Sequence, residues 1–94
     1  MAMKFNLNEF AREACRIGNN LDRAYCNAEE LEWYYGDGFC NTEDEEYEYE
    51  EFGRQISRLD PNDGSGRRTE WYYGCTPRET KEILLRDFPW LARI

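Results

Sequence analysis

Apolar residues recur at helical spacing from the start of the chain: Leu7, Phe10, Ala14 and Ile17 fall on one face when separated by three or four positions. Asn6 stands where a helix cap is needed, Glu9 can reach back to it, and Phe5 and Phe10 occupy the two positions of a hydrophobic staple. The pattern predicts a first helix to about Ile17, stopped by Gly18 and followed by a turn at Asn19-Asn20. Residues 21–25 read as a short helical piece. Asn27-Ala28-Glu29-Glu30 repeats the cap signal, and a second helix is expected to about Tyr35, ended by Gly36-Asp37-Gly38.

After Thr42 the pattern fits two elements. As a helix opened by Thr42 and Glu45, the stretch would place Tyr49, Phe52, Ile56 and Leu59 on one face. As a strand, Tyr47-Glu48-Tyr49-Glu50 alternates, tyrosines one way and glutamates the other. The sequel favours the strand. Asp60-Pro61-Asn62-Asp63-Gly64-Ser65-Gly66 is rich in turn formers, and Arg67-Arg68-Thr69-Glu70-Trp71-Tyr72-Tyr73 has the Thr, Trp and Tyr content of a half-buried sheet. A hairpin around 60–66 is the expectation. Thr76-Pro77-Arg78-Glu79 then marks a helix start, with Thr76 as cap, Pro77 in the first position and Glu79 completing a capping box. That helix is expected to run to about Asp87 on a stripe of Ile83, Leu84 and Phe88, with Pro89 interrupting it before Trp90, Leu91 and Ile94 pack back. The expected fold is α+β in one domain over residues 1–94: two N-terminal helices, a small antiparallel sheet and a C-terminal helix. Glu32-Trp33-Tyr34-Tyr35-Gly36 recurs as Glu70-Trp71-Tyr72-Tyr73-Gly74, but the flanks differ and two copies make no repeat array.

Composition changes this picture in one respect. The chain has 94 residues and a formal net charge of −8, nearly all of it from residues 43–51, where seven of nine side chains are carboxylates. An aromatic content of 16% sets it apart from acidic disordered tails, which lack the side chains that offset the entropy of ordering a backbone. There is no apolar stretch of membrane-spanning length and no charged-then-apolar leader, so a cytoplasmic setting without membrane contact is expected.

Catalytic and metal chemistry find little to work with. The chain has no His, the usual base near neutral pH, and neither Ser57 nor Ser65 lies in a strand-to-helix elbow. Cys15, Cys26, Cys40 and Cys75 lack the close pairing of zinc ligands and read as buried, reduced thiols. Asp60, Asn62 and Gly64 begin like a calcium loop, but Ser65 stands where the loop needs Gly and Trp71 where it needs Glu. The expectation is no enzyme, no cofactor and no metal. Arg67 and Arg68 beside Trp71 and Tyr72 resemble a single-strand stacking site, yet the overall charge repels polyanions, and direct nucleic-acid binding is not expected. The two arginines are read instead as facing the acidic strand across the hairpin.

The candidate binding residues are therefore Glu43, Asp44, Glu45, Glu46, Tyr47, Glu48, Tyr49, Glu50 and Glu51. Same-face residues of a strand recur about every 6.7 Å, and i, i+4 residues of a helix lie about 6 Å apart. Either spacing suits a row of carboxylates to a basic protein surface built for phosphates, such as the cleft of a DNA- or RNA-binding protein. Ten Arg against two Lys, with seven Tyr and three Trp, is a mixture enriched at protein interfaces. In charge and size the chain resembles the small acidic decoys by which phages and plasmids block host DNA-binding or defence proteins, a resemblance of class that rests on no motif. The rival expectation is an interaction or assembly subunit, homo-oligomers included, that uses exposed Trp and Tyr.

Overall fold

A computed structural model describes residues 5–36 and 42–94. Helix α1, Leu7–Tyr35, is a single 29-residue element, about 43 Å long at 1.5 Å per residue, and it accounts for the 49 Å long axis of the molecule. Helices α2, Glu43–Arg58, and α3, Pro77–Asp87, pack against it, and a 3-10 turn, Pro89–Arg93, closes the chain. No strand occurs among the described residues, so the fold is all-α and the expected α+β class is wrong.

The start of α1 follows the sequence pattern. Asn6 Oδ1 accepts the Glu9 backbone N–H at 3.2 Å, and Phe5 packs on Phe10 with ring centroids 5.2 Å apart. The expected break at Gly18 does not occur, for a tertiary reason. A Cβ at residue 18 would clash with the ring of Tyr73, so this glycine makes room for an aromatic side chain laid across the helix. The Asn19 amide donates to Cys15 O at 2.8 Å and to Gly74 O at 3.0 Å, bonding backward along the helix and across to residue 74 rather than making a turn. Nor does Asn27 open a new helix. The stop does fall at Gly36, whose φ of 96° ends the helix while its N–H bonds Glu32 O; Asp37, Gly38 and Cys40 lie outside the described residues.

The acidic run is the larger correction: residues 43–51 form the first half of α2, not a strand. Phe52 and Ile56 are buried, with Tyr49 and Leu59 partly buried beside them, so the three-to-four spacing prevails over the local alternation. Glu43, Asp44, Glu45 and Glu46 fill the first turn, where the helix dipole favours negative charge. The Arg54 guanidinium lies 3.6 Å from Glu50 and 3.3 Å from Glu51, pairs that exist only at helical offsets.

The hairpin around 60–66 is absent for the same reason, since a helix offers no edge to pair with. Residues 60–66 instead form local turns, in which Asp60 accepts from Asn62 N at 2.8 Å and Asp63 from Ser65 N at 3.1 Å. The segment that follows has no regular secondary structure and crosses α2 and α1, touching α2 backbone to backbone where a Cβ on Gly53 would lie 3.0 Å from Arg68 O. Its polar groups are met by side chains: Trp71 N donates to Tyr49 Oη at 3.0 Å, and Gly74 N to Thr80 Oγ1 at 2.9 Å. Trp71 enters the core with Ala11, Ala14, Ile17, Phe52, Ile56, Leu84, Phe88 and Leu91.

The C-terminal helix starts at Pro77 and ends at Asp87, as expected. Thr76 Oγ1 accepts from Glu79 N at 3.2 Å, while Glu79 Oε2 accepts from Cys75 N at 3.2 Å. Leu91 is buried and Trp90 Nε1 donates to Ile56 O at 3.3 Å, although Ile94 stays half exposed.

Candidate protein-binding surface

Helical geometry rearranges the acidic run. On a strand its tyrosines would leave the carboxylates for the opposite face, whereas on α2 the neighbours of Tyr47 at three and four residues are Glu43, Asp44, Glu50 and Glu51. Glu46 and Glu48 adjoin it in sequence. Tyr47 is 65% exposed and is therefore an aromatic centre ringed by carboxylates.

The nine predicted residues do not share one environment. Tyr49 is turned inward, stacked on Trp71 and half-buried. Glu46 accepts from Tyr25 Oη at 2.9 Å and from Thr42 Oγ1 at 3.0 Å, which ties the start of α2 to α1. Glu48 lies 3.3 Å from the Arg16 guanidinium of α1. Glu51 sits 3.0 Å from Arg58 and 3.3 Å from Arg54, and the Arg58 hydrogen bond holds its carboxyl below the usual range. Asp44 and Glu50 are exposed. The run's charge is thus partly countered by Arg16, Arg54 and Arg58. Such exposed ion pairs contribute little to stability, about 0 to 1 kcal/mol, and can exchange for pairs with another molecule.

Arg68 does not face the acidic run as the hairpin would have required. The Arg68 guanidinium lies over the Phe88 ring, 4.6 Å from its centroid. Two other features escape sequence reasoning. The Glu-Trp-Tyr-Tyr-Gly echo takes two conformations: at 70–74 it lies outside the helices with Trp71 buried, and at 32–36 it ends α1 with Trp33 84% exposed beside exposed Tyr34 and Tyr35. An open groove of about 830 Å³ lies between α1, residues 68–73 and the end of α3. The density of Tyr and Trp in both copies was the available signal, but nothing in the pentapeptide tells which copy turns inward.

Cys15 is buried, while Cys26 and Cys75 are exposed free thiols, unlike the buried set expected. Among the described residues no cluster of His, Cys, Asp or Glu is arranged to hold a metal ion, and no helix is long and apolar enough to cross a membrane. No family model, curated protein or solved structure matches this chain.

Proposed function

We propose that this is a non-enzymatic acidic binding protein whose α2 face, centred on Tyr47, docks on a basic protein surface of the kind that otherwise holds nucleic acid. The observation that carries the reading is the ring of carboxylates around an exposed tyrosine on a well-packed helix. A guanidinium from a partner stacks on such a ring while its N–H groups bond flanking carboxylates, an arrangement that favours Arg. Along the helix, Asp44, Glu48 and Glu51 follow one another at about 6 and 4.5 Å of rise, a row of negative charge on the scale of a phosphate backbone.

The test is capture of partners at low and high salt by the parent and by a variant carrying Asp44→Asn, Glu48→Gln and Glu50→Gln. These sites are exposed, so the fold should remain. Loss of three charge pairs at about 1 kcal/mol each lowers affinity by roughly two orders of magnitude and flattens the salt dependence. A captured partner should also release its nucleic acid as this protein is added. Equal retention of parent and variant across the salt series would overturn the reading.

A second reading has its own observation. Trp33, Tyr34 and Tyr35 are all exposed at the end of α1, a cluster suited to assembly with an identical or different chain. Screening shortens charge interactions to about 8 Å near physiological ionic strength, so association that ignores salt and fails on Trp33→Ala would select this reading over the first.

A further inference from the structure

The groove between α1 and residues 68–73 is separate from the Tyr47 face, and its two ends differ in character. Near α3, Arg86 pairs with Asp87 at 3.0 Å, and the Arg68 guanidinium lies on the Phe88 ring, which leaves that end basic. Near α1, it offers Tyr25, Tyr72 and Tyr73 together with Asp22 and Glu70. Tyr73 Oη donates to Asp22 at 2.7 Å and Tyr25 Oη donates to Glu46 at 2.9 Å. A phenol that donates to a carboxylate pushes electron density into its ring and makes the ring face more attractive to a cation. Glu70 is exposed and has no hydrogen-bond or ion-pair partner among the described residues. The Tyr25 phenol is held above its ordinary value chiefly by its bond to Glu46, and those of Tyr49 and Tyr73 chiefly by burial, with Glu70 and Asp22 adding to the rise.

We propose that the α1 end of the groove is a receptor for an arginine side chain presented by a partner protein. Charge complementarity fixes the sign, since the charged groups lining that end, Asp22 and Glu70, are both carboxylates and neither is in an ion pair among the described residues. The exposed rings of Tyr25 and Tyr72 favour a flat, weakly hydrated guanidinium over a compact ammonium, and Glu70 and Asp22 can accept its N–H groups. At its other end the groove already holds one guanidinium on an aromatic ring, that of Arg68 on Phe88. Glu46, which accepts from Tyr25, links the site to α2, but the variant that tests the Tyr47 face leaves that residue in place, so each site can fail without the other.

The full chain, labelled with 15N, is titrated with N-acetyl-arginine methylamide and separately with N-acetyl-lysine methylamide. Binding on the order of millimolar is expected for the arginine probe, with amide shifts gathered at residues 21–25 and 70–73. Glu70→Gln and Tyr72→Ala alter exposed side chains and leave the fold in place, and each should weaken the arginine probe by about two- to fivefold. The lysine probe should bind more weakly. The proposal is overturned by shifts confined to residues 43–51, by shifts unchanged in both variants, by equal affinity for the two probes, or by no saturable shift.

Discussion

The phenol of Tyr49 lies flat on the indole of Trp71, with ring centroids 4.7 Å apart and planes within 15°, and the two residues also share backbone hydrogen bonds. Trp71 N donates to Tyr49 Oη, that hydroxyl donates to Trp71 O, and Trp71 Nε1 donates to Tyr49 O at 2.9 Å. One side chain thus meets both main-chain groups of a residue that lies outside the helices. Tyr49→Phe keeps the stack and strips both groups of their partner, at a cost of about 1 to 3 kcal/mol. Urea unfolding followed by tryptophan fluorescence measures it. A change below about 0.5 kcal/mol would show that water replaces the hydroxyl.

Gly18 and Tyr73 should prove coupled. Gly18→Ala in an exposed helix would gain about 1 kcal/mol, but here the new methyl meets the Tyr73 ring, and overpacking typically costs about 1 to 3 kcal/mol. The expected outcome is net destabilisation in the parent and stabilisation in a Tyr73→Ala background. A double-mutant cycle without that reversal would mean the ring moves aside freely.

Thr76→Ala removes the oxygen that accepts Glu79 N, and should lower stability by about 0.5 to 2 kcal/mol. Thr76→Ser keeps the acceptor and should lose much less. Equal losses would assign the effect to the missing methyl instead of the cap.

Alkaline pH should weaken the fold through the tyrosines. Burial pushes the Tyr73 phenol well above its ordinary value, and its bond to Asp22 pushes it further; Tyr49 is raised chiefly by burial, with the Trp71 hydrogen bond acting the other way. Their contribution is fully present below the unfolded-state value of about 10 and is lost as pH rises through the higher folded-state values. The urea midpoint should therefore fall above about pH 10, and less steeply in Tyr73→Phe, which has no phenol to ionise. A parallel decline in parent and variant would exclude Tyr73 as a source.

Local punctuation was legible in the sequence wherever the chain supplies its own partner. Asn6 with Glu9, Thr76 with Pro77 and Glu79, and Gly36 all mark helix ends at the positions read from residues alone. Gly18 and the acidic run were misread because their reasons lie far along the chain. Gly18 is explained by Tyr73, 55 positions on, and Tyr49 faces inward because Trp71 waits there. Alternation in Tyr47-Glu48-Tyr49-Glu50 spans four residues, whereas the Tyr49, Phe52, Ile56 and Leu59 stripe spans eleven, and the longer pattern was the better guide. For the candidate site, the acidic residues were legible but their arrangement around Tyr47 was not, because it exists only once the run is helical.

In α1, no residue beyond Leu21 is buried, so one continuous helix has a core-anchored half and a half that stands largely in water. Amide protons in the two halves should then leave by different routes. Those in the anchored half exchange with solvent only when the whole domain opens, while those toward Tyr35 exchange through fraying that leaves the core intact. The length past Tyr25, about 10 residues, is marginal alone, so slowed exchange over residues 26–35 on adding a partner would report where that partner sits, before any complex is solved.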